Sequence, residues 1–413
     1  MNAMERARRR FLKEGAVLAG LALGAAPAVR AQSQGQSIYP LGGPHRSDPR
    51  KDLDVRPKDV NAYGERSRFV SSVRLSDGGN TEFGGSGNVL TPLQDSIGII
   101  TPAPLHFVSS HGYAPPDIDP RDHRLMIHGM VDRPLLFTMD DLMHLPSVTR
   151  IIFVECQANR PTREDVTVQE THGKTACSEW TGVPLSLLLK EAGVQSGAQW
   201  VLCEGNDAGK HIKSLPLAKA TQDILIAYGQ NGEPLRPHQG YPLRLIVPGF
   251  EGITHVKWLR RIKLVDYPAM DPVERFGFEL GPKSVITFPS GGQQLPRRGF
   301  YEITGLAWSG GGAVSKVEVS TDGGRTWKDA QIKGQALPIA HTRFGLGWNW
   351  NGEEAELQSR CWDEQGQYQP SLAEMAKFRN TTAENALGGG GGHFNVIQPW
   401  KVNRDGSVRN AIV

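Results

Sequence analysis

Between Ile97 and about Pro268 the chain alternates short apolar runs with amphipathic pieces. RLMIHGMV (124–131), IIFVEC (151–156), WVLCEG (200–205), DILIAYG (223–229), YPLRLIVPG (241–249) and HVKWLRRIKLVDY (255–267) are short, rich in β-branched and aromatic residues and bounded by turn formers, so they read as strands. GVPLSLLLKEAGV (182–194) carries a different period. Leu185, Leu188, Leu189 and Ala192 fall on one helical face, Pro184 stands at the start and Gly193 at the stop, which predicts a surface helix packed on a sheet. Strands mixed with helices make this region, 97–275, an α+β or mixed α/β domain.

Beyond about Gly281 the texture changes. FYEITGLAWSG, AVSKVEVSTDGGRTWKDAQI and AELQSRCWDEQG alternate with period two, with a turn at Asp322-Gly323. That pattern predicts a β-sandwich over 281–413. The run Gly388 to Gly392 lacks a following Lys-Ser/Thr and reads as a linker, not a phosphate cradle. Residues 32–96 are polar, with little periodicity, and read as an extended N-terminal arm with few core residues.

Residues 1–31 contain Arg8-Arg9-Arg10-Phe11-Leu12-Lys13, then a mild apolar stretch from Gly15 to Val29 with cleavage expected after either Ala28 or Ala31. This is the twin-arginine signal pattern, and it places the mature chain in the periplasm. The stretch is short, rich in Gly and Ala and broken by Pro27, so no membrane-spanning helix is expected here or later. Twin-arginine export carries proteins already folded, which suits a chain loaded with a redox cofactor before it leaves the cytoplasm. Net charge is +3, from 46 basic and 43 acidic residues, with no basic run after the N-terminus. Nucleic-acid binding is therefore set aside.

The chain's four cysteines, Cys156, Cys177, Cys203 and Cys361, are too scattered for a disulfide framework. No CxxC, CxxCH or HExxH spacing occurs, so neither a zinc site nor covalently attached haem is expected. The unusual placement is FVECQANRP (153–161), where a buried-looking strand ends in a cysteine followed by polar side chains and a proline. By composition alone, a cysteine at a strand end is usually a small hydrophobe.

Three stretches change that weighting. Cys156-Gln157-Ala158-Asn159-Arg160, the block ILIAYGQNGEPLRPHQGYPLRLIVPGFEGITHVKWLRRI and the block LAWSGGGAVSKVEVSTDGGRTW together resemble the sulfite oxidase family of molybdenum-pterin enzymes, most closely its sulfane dehydrogenase (SoxC) branch. The likeness runs from about Ile97 to the C-terminus. It implies a molybdopterin domain followed by an immunoglobulin-like dimerisation domain, in a dimer or heterotetramer. Cys156 would be the metal's protein thiolate, beside two sulfurs from the pterin, a donor set that suits molybdenum in high oxidation states. His111, Asn159, Arg160, Asp207, Arg244 and Lys257 would bind the cofactor, with Asp207 on the pterin's amino face and the cations on its phosphate. Tyr228, Arg160 and His111 would be the catalytic groups. Arg163, His172 and His211 stand as further positive charge without an assigned place, and the other three cysteines are read as structural.

The chain also departs from the family pattern. Where sulfite-oxidising members have Arg-Asn-His, this sequence has Ser109-Ser110-His111, and His238-Gln239 stands where the pattern has Asp-His. A missing guanidinium weakens the grip on free sulfite by a few kcal/mol at most, about what a charge-assisted pair contributes. It also makes room for a bulkier substrate. The resemblance then implies oxidation of sulfane sulfur presented on a carrier protein, with electrons passed to a c-type cytochrome subunit or carrier. Rival readings are a direct sulfite dehydrogenase, a methionine sulfoxide reductase of the same superfamily, which is expected to lack the sandwich, and a non-catalytic binding module that keeps the fold.

Overall fold

The computed structural model describes residues 66–78, 87–109, 114–269, 279–388 and 392–412. The signal-like segment 1–31, most of the arm, His111 and part of the glycine run lie outside the described residues.

Among the described residues, twelve strands precede residue 270. In chain order they are β1 (Leu75–Ser76), β2 (Val89–Leu90), β3 (Arg124–Gly129), β4 (Leu135–Thr138), β5 (Val148–Glu155) and β6 (Thr175–Pro184). They continue with β7 (Trp200–Gly205), β8 (Ile212–Pro216), β9 (Leu225–Gln230), β10 (Glu233–Pro234), β11 (Arg244–Ile246) and β12 (Leu259–Val265). β1 and β2 pair with each other, and the rest form two five-stranded sheets, β4-β3-β12-β7-β8 and β10-β9-β6-β5 with β11 on β9. All pairings in these sheets are antiparallel except β12 with β3.

The helix Leu185–Ala192 does more than cover one sheet. Its buried face of Leu185, Leu188, Leu189 and Ala192 meets β3 of one sheet and β6 of the other, and Gly193 ends it in the left-handed region at φ 72°. Truncating Leu188 there would cost about 2–5 kcal/mol. The core these groups share also takes in Leu125, Ile127, Val201, Ile226, Leu245 and Ile262.

The sandwich follows with β13 (Lys283–Phe288), β14 (Gly299–Trp308), β15 (Val314–Ser320), β16 (Lys328–Asp329), β17 (Gln331–Lys333), β18 (Thr342–Trp350), β19 (Ala355–Asp363), β20 (Trp400–Val402) and β21 (Val408–Asn410). Its sheets run β13-β14-β18-β17 and β16-β15-β19-β20-β21. The period-two pattern did not announce two short helices, Leu372–Phe378 and Ala383–Leu387. The first is opened by a capping box in which Ser371 and Glu374 satisfy each other's backbone amides.

A second apolar core does not stop at the boundary between the two regions. It joins Phe153 and Cys177, from β5 and β6, to Val285, Leu306, Trp308 and Phe344 of the sandwich, and Leu93 of the lead-in is buried in it. The lead-in is accordingly mixed, with Phe69 and Val73 exposed but Leu90 and Leu93 buried. No helix among the described residues is long and apolar enough to cross a membrane.

Candidate functional site

Strand β5 carries the cysteine loop to its place. Its last pair is Glu155 with Thr175 of β6, after which the Cys156 amide still donates to the Lys174 carbonyl at 2.9 Å. The chain then turns tightly. The Asn159 amide donates to the Cys156 carbonyl at 2.9 Å, and Gly252 passes so close that a Cβ there would lie 2.7 Å from the Glu155 oxygen and 3.2 Å from the Cys156 nitrogen. Only glycine fits that approach.

Cys156 is half-buried and lines a cavity of about 280 Å³ together with Ser109, Asp207, His211, Arg244 and Lys257. Burial pushes its thiol up. The Ala158 amide, the Lys174 amine and the Ser109 hydroxyl pull the other way, while the Glu155 carboxylate adds to the rise. An unaided thiol here stays protonated, and a bound metal cation would have to displace the proton.

Among the described residues, the cavity's cations, buried Arg244 and half-buried Lys257, form no ion pair with a carboxylate. Arg244 is 3% exposed, donates from Nη1 to Gln239 Oε1 at 2.7 Å and to the Gln239 carbonyl at 3.2 Å, and stacks on Trp180 with 5.2 Å to the ring centre. Its Nε has no partner among the described residues. Burial brings the guanidinium down to about 9. Lys257 donates from Nζ to the carbonyls of Ser109 at 2.8 Å and His238 at 3.1 Å, and burial, reinforced by Arg244, brings its amine down to about 7. The next residue, Trp258, sits at φ 52°, a strained setting for a large side chain, held by its Nε1 donating to Pro237 at 3.0 Å.

Two histidines complete the wall and remain neutral. His106 is brought to about 3 by burial and the Arg244 charge, with Nδ1 2.9 Å from the Phe107 carbonyl. His255 is likewise brought to about 3, and its Nδ1 accepts from the Val247 amide at 3.3 Å. Asp207 accepts the His211 amide at 3.1 Å. It is the only carboxylate among the cavity's described lining residues.

Cys156, Asp207, Arg244 and Lys257, which the sequence proposed as site residues, line one cavity, and His211, which it left unplaced, lines it with them. Gln239 enters at the position where the family pattern has a histidine, and His106, His255 and Trp258 join unannounced. Asn159, Arg160 and Tyr228 are not among the lining residues. Asn159 spends its side chain inside the protein, Nδ2 donating to Glu155 Oε1 at 2.8 Å and Oδ1 accepting the Lys174 amide at 3.0 Å, so its visible work is to hold the loop. Arg160 donates to the carbonyls of Gln157 at 3.4 Å and Gly392 at 3.3 Å. Tyr228 packs against the first core. His172 is fully buried and among the described residues bonds through neither ring nitrogen, and Arg163 makes an exposed pair with Glu384 at 3.9 Å. Cys177 and Cys203 are fully buried with thiols pushed up to about 12, and Cys361 is buried and pushed up as well.

This lining suits a large anion. An orphaned guanidinium nitrogen and a half-buried lysine, facing one carboxylate, call for negative charge that the described chain does not supply. The metal argument is complementary. Among the described residues no group of three His, Cys, Asp or Glu side chains is placed to hold an ion, so a metal at Cys156 must arrive with most of its own ligands.

Known proteins are similar to this chain. Residues 111–273 match the family described as oxidoreductase molybdopterin binding domain, and 275–385 match the Mo-co oxidoreductase dimerisation domain. The chain is 36% identical over 303 residues to an NADH nitrate reductase of Solanum lycopersicum, covering 61% of this chain and 33% of that one. It is 34% identical over 385 residues to one from Brassica napus, covering 77% and 41%. The chain therefore spans well under half the length of these relatives. Among solved structures, the sulfane dehydrogenase SoxCD from Paracoccus pantotrophus superposes with a TM-score of 0.79 at 37% identity, over 89% of this chain and 100% of that one.

Proposed function

The chain belongs to the sulfite oxidase family of molybdenum-pterin oxidoreductases, and from that premise we propose that it oxidises sulfane sulfur carried on a partner protein's cysteine, passing electrons to a c-type cytochrome. Cys156 would hold the metal, Arg244 and Lys257 the anionic tail, and Asp207 a pterin amino group. When bound, the cofactor supplies two-electron oxidation of sulfur with oxygen drawn from water.

The remaining contributions come from the protein. Ser109 presents a neutral hydroxyl beside the Cys156 thiol. A free dianion at that place would meet one hydroxyl where a sulfite-binding site offers a guanidinium, whereas a persulfide on a protein cysteine brings less charge and needs more room. This substitution, together with the likeness to a sulfane dehydrogenase, carries the reading. Neutral His106 and His255 keep further positive charge away from the cavity. The dimerisation domain would pair subunits, and the N-terminal arginine pair would direct export to the periplasm.

Direct sulfite oxidation is the rival. Steady-state reduction of cytochrome c by the purified holoenzyme separates the two, with free sulfite in one arm and carrier-bound sulfane in the other. Faster turnover of the carrier-bound substrate is expected. Efficient oxidation of free sulfite at micromolar concentration would transfer the assignment to a sulfite dehydrogenase.

A further inference from the structure

Beneath the cysteine loop lies a fully buried ion pair to which the proposed function assigns no part. Lys283, the first residue of β13, reaches out of the sandwich and donates from Nζ to Glu155 Oε1 at 2.7 Å and to the Asn159 carbonyl at 2.6 Å. Both side chains are 0% exposed. Trp308 Nε1, also from the sandwich, donates to Glu155 Oε2 at 2.7 Å, and Asn159 Nδ2 donates to Oε1 at 2.8 Å. Every oxygen of the carboxylate is thus engaged.

The placement of these bonds is specific. Glu155 immediately precedes Cys156 and Asn159 follows it by three residues, so one ammonium group grips the loop on both sides of the thiol. Stability alone does not explain such a device. A buried Lys–Glu pair loses so much hydration that apolar side chains of similar volume usually serve as well or better. The second tether, from Arg160 to the Gly392 carbonyl at 3.3 Å, also comes from the C-terminal region. His341 and His393, which flank the pair, are brought by burial to about 3 and about 4 and remain neutral, so neither competes with Lys283 as a cation.

We infer that Lys283 and Trp308 are positioning residues for Cys156, and that the sandwich is a structural part of the metal-ligand loop in addition to its role in pairing subunits. The inference rests on the reading of Cys156 as the metal's thiolate. It assigns the residues that aim this thiolate, and it makes the second domain a condition for a correctly built centre.

The test uses the full-length holoenzyme and compares wild type, Lys283→Met, the double variant Glu155→Gln/Lys283→Met, and Cys156→Ser. The double variant removes both charges together, so no uncompensated ion is left in the core. Thermal unfolding, molybdenum per chain and the electron paramagnetic resonance spectrum of the half-reduced metal are read for each. The double variant is expected to unfold within a few degrees of wild type, yet to show a shifted or heterogeneous metal spectrum and turnover about 10-fold or more below wild type, the scale on which loss of an outer supporting partner is felt. A folded double variant with the wild-type spectrum and turnover overturns the inference. Should that variant not be recovered, Trp308→Phe, which leaves the charges paired, decides by the same spectrum. Cys156→Ser tells the two layers apart: if its spectrum matches wild type, the thiolate reading fails first. If its spectrum changes while those of the Lys283 and Trp308 variants do not, only the positioning role is lost.

Discussion

Lys257 Nζ donates to the main-chain oxygen of Ser109 at 2.8 Å, joining a half-buried cation to the residue that departs from the sulfite-binding pattern. The bond fixes the backbone at 109, so whatever side chain stands there faces the cavity beside Cys156. Ser109→Arg should therefore deliver a guanidinium into the cavity without refolding the segment. The apparent Michaelis constant for sulfite should fall several-fold, and turnover of the carrier-bound substrate should drop because the longer side chain takes its room. Cytochrome reduction with both substrates checks this, and an arginine variant that leaves both unchanged would remove Ser109 from the specificity argument.

Cys156→Ser should keep the fold, since the bonds of Glu155, Asn159 and Lys174 that hold the loop are untouched. An alkoxide or water is a poor substitute for a thiolate donor. Turnover should fall by more than the roughly 10–100-fold that removing an outer partner costs. Near-normal activity, with an unchanged near-ultraviolet circular dichroism spectrum, would sink the ligand assignment.

Burial brings the Lys257 amine from an ordinary 10.5 to about 7, which makes the ligand-free protein sensitive to pH in a definite direction. Between those values the unfolded chain holds the proton and the folded chain has released it. Stability should therefore rise as pH climbs from about 7 toward 10.5, and the penalty of the buried charge is fully present below about 7. A bound anion favours the charged amine, so its affinity should weaken over the same rise. Thermal unfolding of cofactor-free protein across pH 6–10 measures the slope, and Lys257→Met should flatten it. A variant slope equal to wild type would show that another group titrates.

Replacing Arg8 and Arg9 together by lysine should leave precursor in the cytoplasm, because the export machinery reads the guanidinium pair. Fractionation with an antibody against the chain reports the outcome. Normal periplasmic accumulation of the double variant would mean that a different signal directs the protein.

Local pattern was enough for much of this molecule. The strand IIFVEC and the helix LSLLLKEA follow from the spacing of their apolar residues, and the sandwich from period-two alternation, since both repeats are properties of the backbone itself. The loop CQANR and the long block around Arg244 and Lys257 carried the chemistry by resemblance, and four of the assigned positions, Cys156, Asp207, Arg244 and Lys257, meet in one cavity. What the sequence could not decide was how residues far apart in the chain would be shared out. Asn159 turned inward to Glu155 because the tight turn places its amide 2.8 Å from that carboxylate. His106 entered the wall because separate loops converge there, and it sits in no spacing that announces it, whereas Gln239 stands where the family pattern has a histidine. Lys283 reads in sequence as a polar residue at the start of a strand, and its ammonium group lies under the cysteine loop only because one apolar core, joining Phe153 to Trp308, packs the two domains together. Periodicity is written by neighbours in the chain, whereas a buried charge finds its partner across 128 residues only once the hydrophobic surfaces have closed around both.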